Sequence, residues 1–89
     1  MYFQISPDLE KKLEKIKAKD KQLTGKIQKQ LELFQENHFH PSLRIHKLSG
    51  NLENIWSIAV GRNLHMLFFL SGEAAYFFDI GTHDQVYKK

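Results

Sequence analysis

The chain has no cysteine, which excludes a disulfide framework, thiol nucleophiles and cysteine-based zinc sites and makes a reducing cytoplasm its simplest home. No stretch approaches the ~20 apolar residues that span a bilayer. The start, "MYFQISPDLEKK", lacks a basic segment followed by an apolar one, so neither export by a visible signal nor membrane insertion is expected. Neither sign of charge dominates. The net charge is +3, and most lysines sit among acids between Lys11 and Lys29, as on a solvated helix face, so a polyanionic partner is permitted but not demanded. Repeats, low-complexity segments and linkers are also missing.

What is present suits one domain, residues 1–89, because a chain this short buries only about 60% of its unfolded surface and cannot share that core between two units. "YFQIS" alternates and is short, as a strand would be. Ser6, Pro7 and Asp8 then supply a hydroxyl cap, a proline for the first helical position and an acid at the positive dipole end. Leu9, Leu13 and Ile16 make a narrow apolar stripe, and Asp20 can cap a second helix carrying Leu23, Ile27, Leu31 and Phe34 on one face. After "ENHFHPSL" the period becomes extended and remains so. "LRIHKL" reads as a strand broken by "SGN"; "IWSIAV", "LHMLFFL" and "AAYFFDI" are strands separated by the turns "GRN" and "SGE", the last ending at Gly81. The apolar "LHMLFFL" is the central strand, buried on both faces. The expected fold is α+β, in the order β-α-α-β-β-β-β, with a helical hairpin on one face of a small, mostly antiparallel sheet of four or five strands.

The polar tail "GTHDQVYKK" follows an apolar strand that packing alone would end at Gly81, and these residues are candidates for a site. Together with "HPSLRIHKLSGNLENIWSIAV" and "FDIGTHDQVY", the element order resembles the RelE/ParE superfamily of bacterial type II toxins, closest to its YafQ-like and RelE/StbE branch. The resemblance runs from the helical hairpin to the last tyrosine, and its more specific parts are "HPSLRIHKLSG" and "IGTHDQVY". It implies a small mRNA endonuclease acting mostly in the ribosomal A site. An antitoxin encoded nearby would hold it inactive, in a toxin–antitoxin hetero-oligomer, and no metal or organic cofactor would be used. On the YafQ-like pattern, a strand histidine matches His46, the histidine of the terminal IGTH matches His83, and the aromatic residue four positions later matches Tyr87. Ala59 stands where another active-site histidine can occur, Asn63 where an aspartate does, and His65 where many relatives place an arginine.

Cutting RNA without a metal needs a base for the 2′-hydroxyl, an acid for the leaving 5′-oxygen, and cations for the phosphate. His46 and His83 can supply both proton transfers, since imidazole titrates near neutrality. Each also has a plainer reading, His46 as a solvated strand residue and His83 as a turn residue capping the backbone of Gly81 or Thr82. Tyr87 either stacks on a base or covers the core edge. Asp84 either orients His83 or caps a final turn. Arg44, Lys47, Arg62, Lys88 and Lys89 are candidates for a phosphate track. "HFHP" suggests zinc, but acids at ligand spacing are lacking. His65 reads as a half-buried sheet residue, and Trp56, Phe68, Phe77 and Phe78 as core. Two other classes stand beside the nuclease: a ParE-like protein that binds a topoisomerase without cutting RNA, and a degenerate toxin that binds its antitoxin and is catalytically weak.

Overall fold

The computed structural model describes residues 1–48 and 54–87, and of Tyr87 the backbone. Strand β1 (Tyr2–Ile5) leads into helices α1 (Pro7–Lys19) and α2 (Lys21–Glu36) and a 3-10 turn (Pro41–Leu43). Strands β2 (His46–Lys47), β3 (Ile55–Ala59), β4 (Leu64–Ser71) and β5 (Ala74–Thr82) follow, and helix α3 (His83–Tyr87) comes last. The strands form one sheet in the order β1-β5-β4-β3-β2. It is antiparallel except where β1 joins β5 in parallel.

Local chemistry sets the helix ends. Ser6 Oγ accepts the N–H of Leu9 at 3.1 Å, with Pro7 at the first position, where the missing N–H costs nothing. Asp20 serves both helices of the hairpin: its N–H closes α1 on the Ile16 carbonyl at 2.7 Å, while its carboxylate opens α2 by accepting the N–H of Leu23 at 3.0 Å. Leu9, Ile27, Leu31 and Phe34 are thereby turned onto the sheet and buried against Ile58, Met66, Phe68 and Phe77. The rings of Phe34, Phe68 and Phe77 meet pairwise at 4.9–5.2 Å. Each such side chain contributes about 1.5–3 kcal/mol on full burial.

The opposite face carries a smaller cluster, Leu48, Leu67 and Val86, flanked by Ile55 and Phe78. Leu67 lies between Met66 and Phe68, so alternation along the strand turns it away from the hairpin. Here the structure corrects the expectation for the tail. Strand β5 runs through Gly81 to Thr82, and the tail after it is helical and delivers Val86, 2% exposed, to this second cluster. The central strand is likewise buried on both faces only at Met66, Leu67 and Phe68. Phe69 and Leu70 are 40% and 42% exposed, Phe69 on the face that the short α3 leaves partly uncovered and Leu70, by alternation, on the hairpin side. Trp56 is half-buried and stacks on Phe68 at 6.4 Å; Phe78 is half-buried too. "LRIHKL" contributes only His46 and Lys47 to the sheet, Leu43 closing the 3-10 turn instead. Its "SGN" break lies outside the described residues.

Candidate active site

The register places the histidines. Ala59 pairs with His65 across β3 and β4, and His65 pairs with Gly81 across β4 and β5. Two residues along β3 from Ala59, Ser57 pairs with His46 of β2. Directly opposed residues share a face, as do residues two apart, so His46, Ser57, Ala59, His65 and Gly81 all lie on the side away from the hairpin. Ser57 is fully buried there, and its Oγ has no hydrogen-bond partner among the described residues.

Helix α3 brings His83 to the same face. Thr82 and Gln85 cap it reciprocally: the Gln85 side-chain oxygen accepts the N–H of Thr82 at 2.9 Å, and the Thr82 hydroxyl accepts the N–H of Gln85 at 3.3 Å. A threonine followed three residues later by glutamine is a capping box, and it starts the helix at His83. Gly81 lets the helix settle this close. A Cβ there would stand 2.8 Å from Gln85 Oε1 and 3.1 Å from Val86 Cγ1.

The resulting site holds three imidazoles. The rings of His65 and His83 meet edge to face, with centroids 6.3 Å apart and an interplanar angle of 74°. His46 is exposed on its edge strand, and its Nδ1 lies 3.2 Å from the carbonyl of Arg44; since that oxygen can only accept, Nδ1 is the donor. His83 is exposed, and its Nδ1 is 3.9 Å from Asp84 Oδ1. His65 is half-buried. Burial holds its pKa below the ordinary 6.5, and the nearby charges of His83 and then His46 push the same way, so its ring is neutral at pH 7.

Of the residues singled out in the sequence, the fold gathers His46, His83, Asp84 and Arg44 at this end of the sheet. Arg44 takes a left-handed backbone at φ 46° two residues before His46. Arg62 is exposed in the turn leading into His65. Lys47 is directed elsewhere: it pairs with Trp56, which packs on the hairpin side. Tyr87 ends α3, its side chain lying outside the described residues together with Lys88 and Lys89. In "HFHP", His40 Nδ1 accepts the N–H of Ser42 at 3.1 Å, and His38 rests against the rings of Phe34 and Phe39. Among the described residues no group of three or more His, Cys, Asp or Glu is arranged to hold a metal ion.

Sequence reasoning treated His65 as an ordinary sheet residue, and the structure places it at the centre of the cluster. The available signal was one polar ring on an otherwise apolar central strand. The capping box in "THDQ" was the corresponding signal for α3.

No protein-family model and no curated protein matches this sequence. Solved structures do match in fold. A YoeB/ParE toxin from Agrobacterium tumefaciens superposes with a TM-score of 0.78 at 15% identity, over 93% of this chain and 99% of its own. YafQ from E. coli strain BL21(DE3) superposes with a TM-score of 0.76 at 15% identity, over 96% of both chains. The E. coli DinJ-YafQ toxin-antitoxin complex gives 0.75 at 17% identity, over 96% of this chain and 94% of that one. The chain therefore has the α+β fold of RelE-like toxins, the fold that its sequence resemblance implied.

Proposed function

We propose that this single domain is the toxin of a type II toxin–antitoxin system and cuts mRNA, on the ribosome, without a metal ion. The observation that carries this reading is the convergence of His46, His65 and His83 on the sheet face opposite the helical hairpin. Three imidazoles in one place have no packing purpose, and proton transfer near neutral pH is what they do well. The 2′-hydroxyl loses its proton to a base and attacks the adjacent phosphorus. The bond to the 5′-oxygen breaks, and an acid protonates that oxygen, leaving a 2′,3′-cyclic phosphate and a 5′-hydroxyl. His46 and His83 bear on the scissile phosphate, and Asp84 steers His83. Arg44 and Arg62, with Lys88 and Lys89, draw in the backbone, and Tyr87 stacks on a base; Lys47, on the other side of the sheet, takes no part.

The partner is an antitoxin, made in the same cytoplasm. Strand β2 is a two-residue sheet edge beside the histidines, a place where an added strand can cover the site. No helix among the described residues is long and apolar enough to cross a membrane.

Expressing the chain alone and mapping cellular transcripts by primer extension tests the chemistry. New 5′ ends within coding frames are expected; intact transcripts in growth-arrested cells would point to a ParE-like binder instead. A pull-down with the product of an adjacent gene tests the partner, and no capture would remove the toxin–antitoxin reading.

A further inference from the structure

We propose that His65 is the general base of the cleavage, taking the 2′-hydroxyl proton while His83 protonates the leaving oxygen and His46 contacts the phosphate. This assignment rests on the nuclease reading above.

The placement of His65 sets it apart from the other two rings. It sits on β4, which is bonded to a strand on either side, whereas His46 is on a two-residue edge strand and His83 on a five-residue terminal helix. A base must hold its lone pair within about 2.6–3.2 Å of the proton it removes, and a central strand fixes a ring better than an edge or a chain end. The cross-strand neighbours of His65 are Ala59 and Gly81, too small to wall it off. A phosphate could therefore approach it beside His83, whose ring centroid is 6.3 Å away. In-line displacement puts the attacking and leaving oxygens on opposite sides of phosphorus, so base and acid must face one another across a single phosphate. His65 and His83, with ring centroids 6.3 Å apart, lie near enough together for one phosphate to reach both.

The protonation state of His65 fits the role of base. The base must be neutral while the acid is protonated. The titratable groups that act on His65 are His83 from α3 and His46 from β2; Asp84 lies beside His83 with its side chain 83% exposed, β3 and β5 present Ala59 and Gly81, and Asp79 farther along β5 is paired with Lys12. Partial burial, and then the two neighbouring imidazoles, keep His65 in its neutral form. In the step itself the 2′-oxygen–phosphorus bond forms and the phosphorus–5′-oxygen bond breaks. One proton moves from the 2′-hydroxyl to His65, and one from the His83 imidazolium to the 5′-oxygen, with no change of oxidation state.

The test is single-turnover cleavage of a ribosome-bound message by the full chain and by His65→Gln and His65→Ala, across the pH range in which histidine titrates. His65→Gln should lose ~10²–10⁴-fold in rate with message binding unchanged and the acid limb of the pH profile abolished. His65→Ala should regain activity when free imidazole is added, which a merely structural role would not allow. If His65→Gln cuts within a few-fold of wild type, acid limb intact, His65 is not the base and the nuclease reading stands. If the variants do not fold, NMR titration of His65 in the wild-type chain decides: its midpoint must coincide with the acid limb, and a mismatch overturns the assignment. A wild-type chain that cuts no RNA overturns the nuclease reading itself, and this assignment with it.

Discussion

Lys12 Nζ stands 2.7 Å from Asp79 Oδ1, joining α1 to β5 across 67 positions of sequence. The carboxylate is buried, its side chain 7% exposed, while the lysine is 53% exposed. Asp79 lies where the β4–β5 register steps from Leu67↔Asp79 to Phe68↔Phe77, leaving Phe78 as the extra residue, and the same oxygen accepts the N–H of Ile80 at 2.9 Å. Removing one partner of a fully buried pair costs about 3–5 kcal/mol, but water reaches Lys12, so Lys12→Met should lower stability by about 1–2 kcal/mol. Urea unfolding measures this, and an unchanged midpoint would mean that the pair contributes nothing.

Gly81→Ala should loosen α3. The flexible Gln85 amide can swing away from the new methyl group, but doing so opens the cap on Thr82, and Val86 must yield as well. We expect about 1–3 kcal/mol of lost stability, as for overpacking elsewhere, and a loss of cleavage because His83 is displaced from His65. Thermal unfolding, together with the NMR signals of Val86 and His65, reports both effects; a variant with wild-type spectra and stability would contradict the packing described.

Stability should also depend on pH through His65. Its pKa in the folded chain is below the ordinary 6.5, so the folded state binds fewer protons than the unfolded state, and stability rises with pH in this range. Above 6.5 no penalty remains. As pH falls from there through the folded pKa, stability is lost. His65→Gln should flatten that part of the curve relative to wild type when urea midpoints are compared, and identical slopes would exclude His65 as the source. His83→Gln removes a neighbouring charge and should raise the His65 pKa toward its ordinary value, as seen by NMR.

His83→Gln or His46→Ala should each lower RNA cleavage by ~10²–10⁴-fold and leave the fold and antitoxin binding intact, since both side chains are exposed. Tyr87→Ala should cost less, a stacking contact being worth about 1–3 kcal/mol per base. Single-turnover cleavage at pH ~5–9, bracketing the histidine pKa, separates these effects. Chelator should change nothing. Unchanged rates in both histidine variants would favour a binding-only toxin, and inhibition by chelator a metal-dependent one.

The sequence by itself determined the helical hairpin and the order of elements along the chain, while the parallel pairing of β1 with β5 was left to the tertiary structure. Ser6, Pro7 and Asp20 act on backbone groups within four residues of themselves, and the apolar spacing of Leu9, Ile27, Leu31 and Phe34 needs only the helical period to define a face. It also marked His46 and His83 as candidates through the motifs around them. Alternation alone sends the adjacent His46 and Lys47 to opposite sides, but tertiary structure decided that His46 takes the side of the site, because that depends on cross-strand register, which a one-residue slip would reverse. It decided the fate of the tail, whose Val86 becomes core only because the second sheet face offers Leu48 and Leu67 to cover. It alone brought His65 beside His83, two residues 18 apart in sequence that meet because β4 and β5 pair Leu64 with Thr82. Local signals specify local hydrogen bonds and periodicity, whereas a site assembled from a central strand, an edge strand and a terminal helix exists only once long-range pairing has set their relative positions.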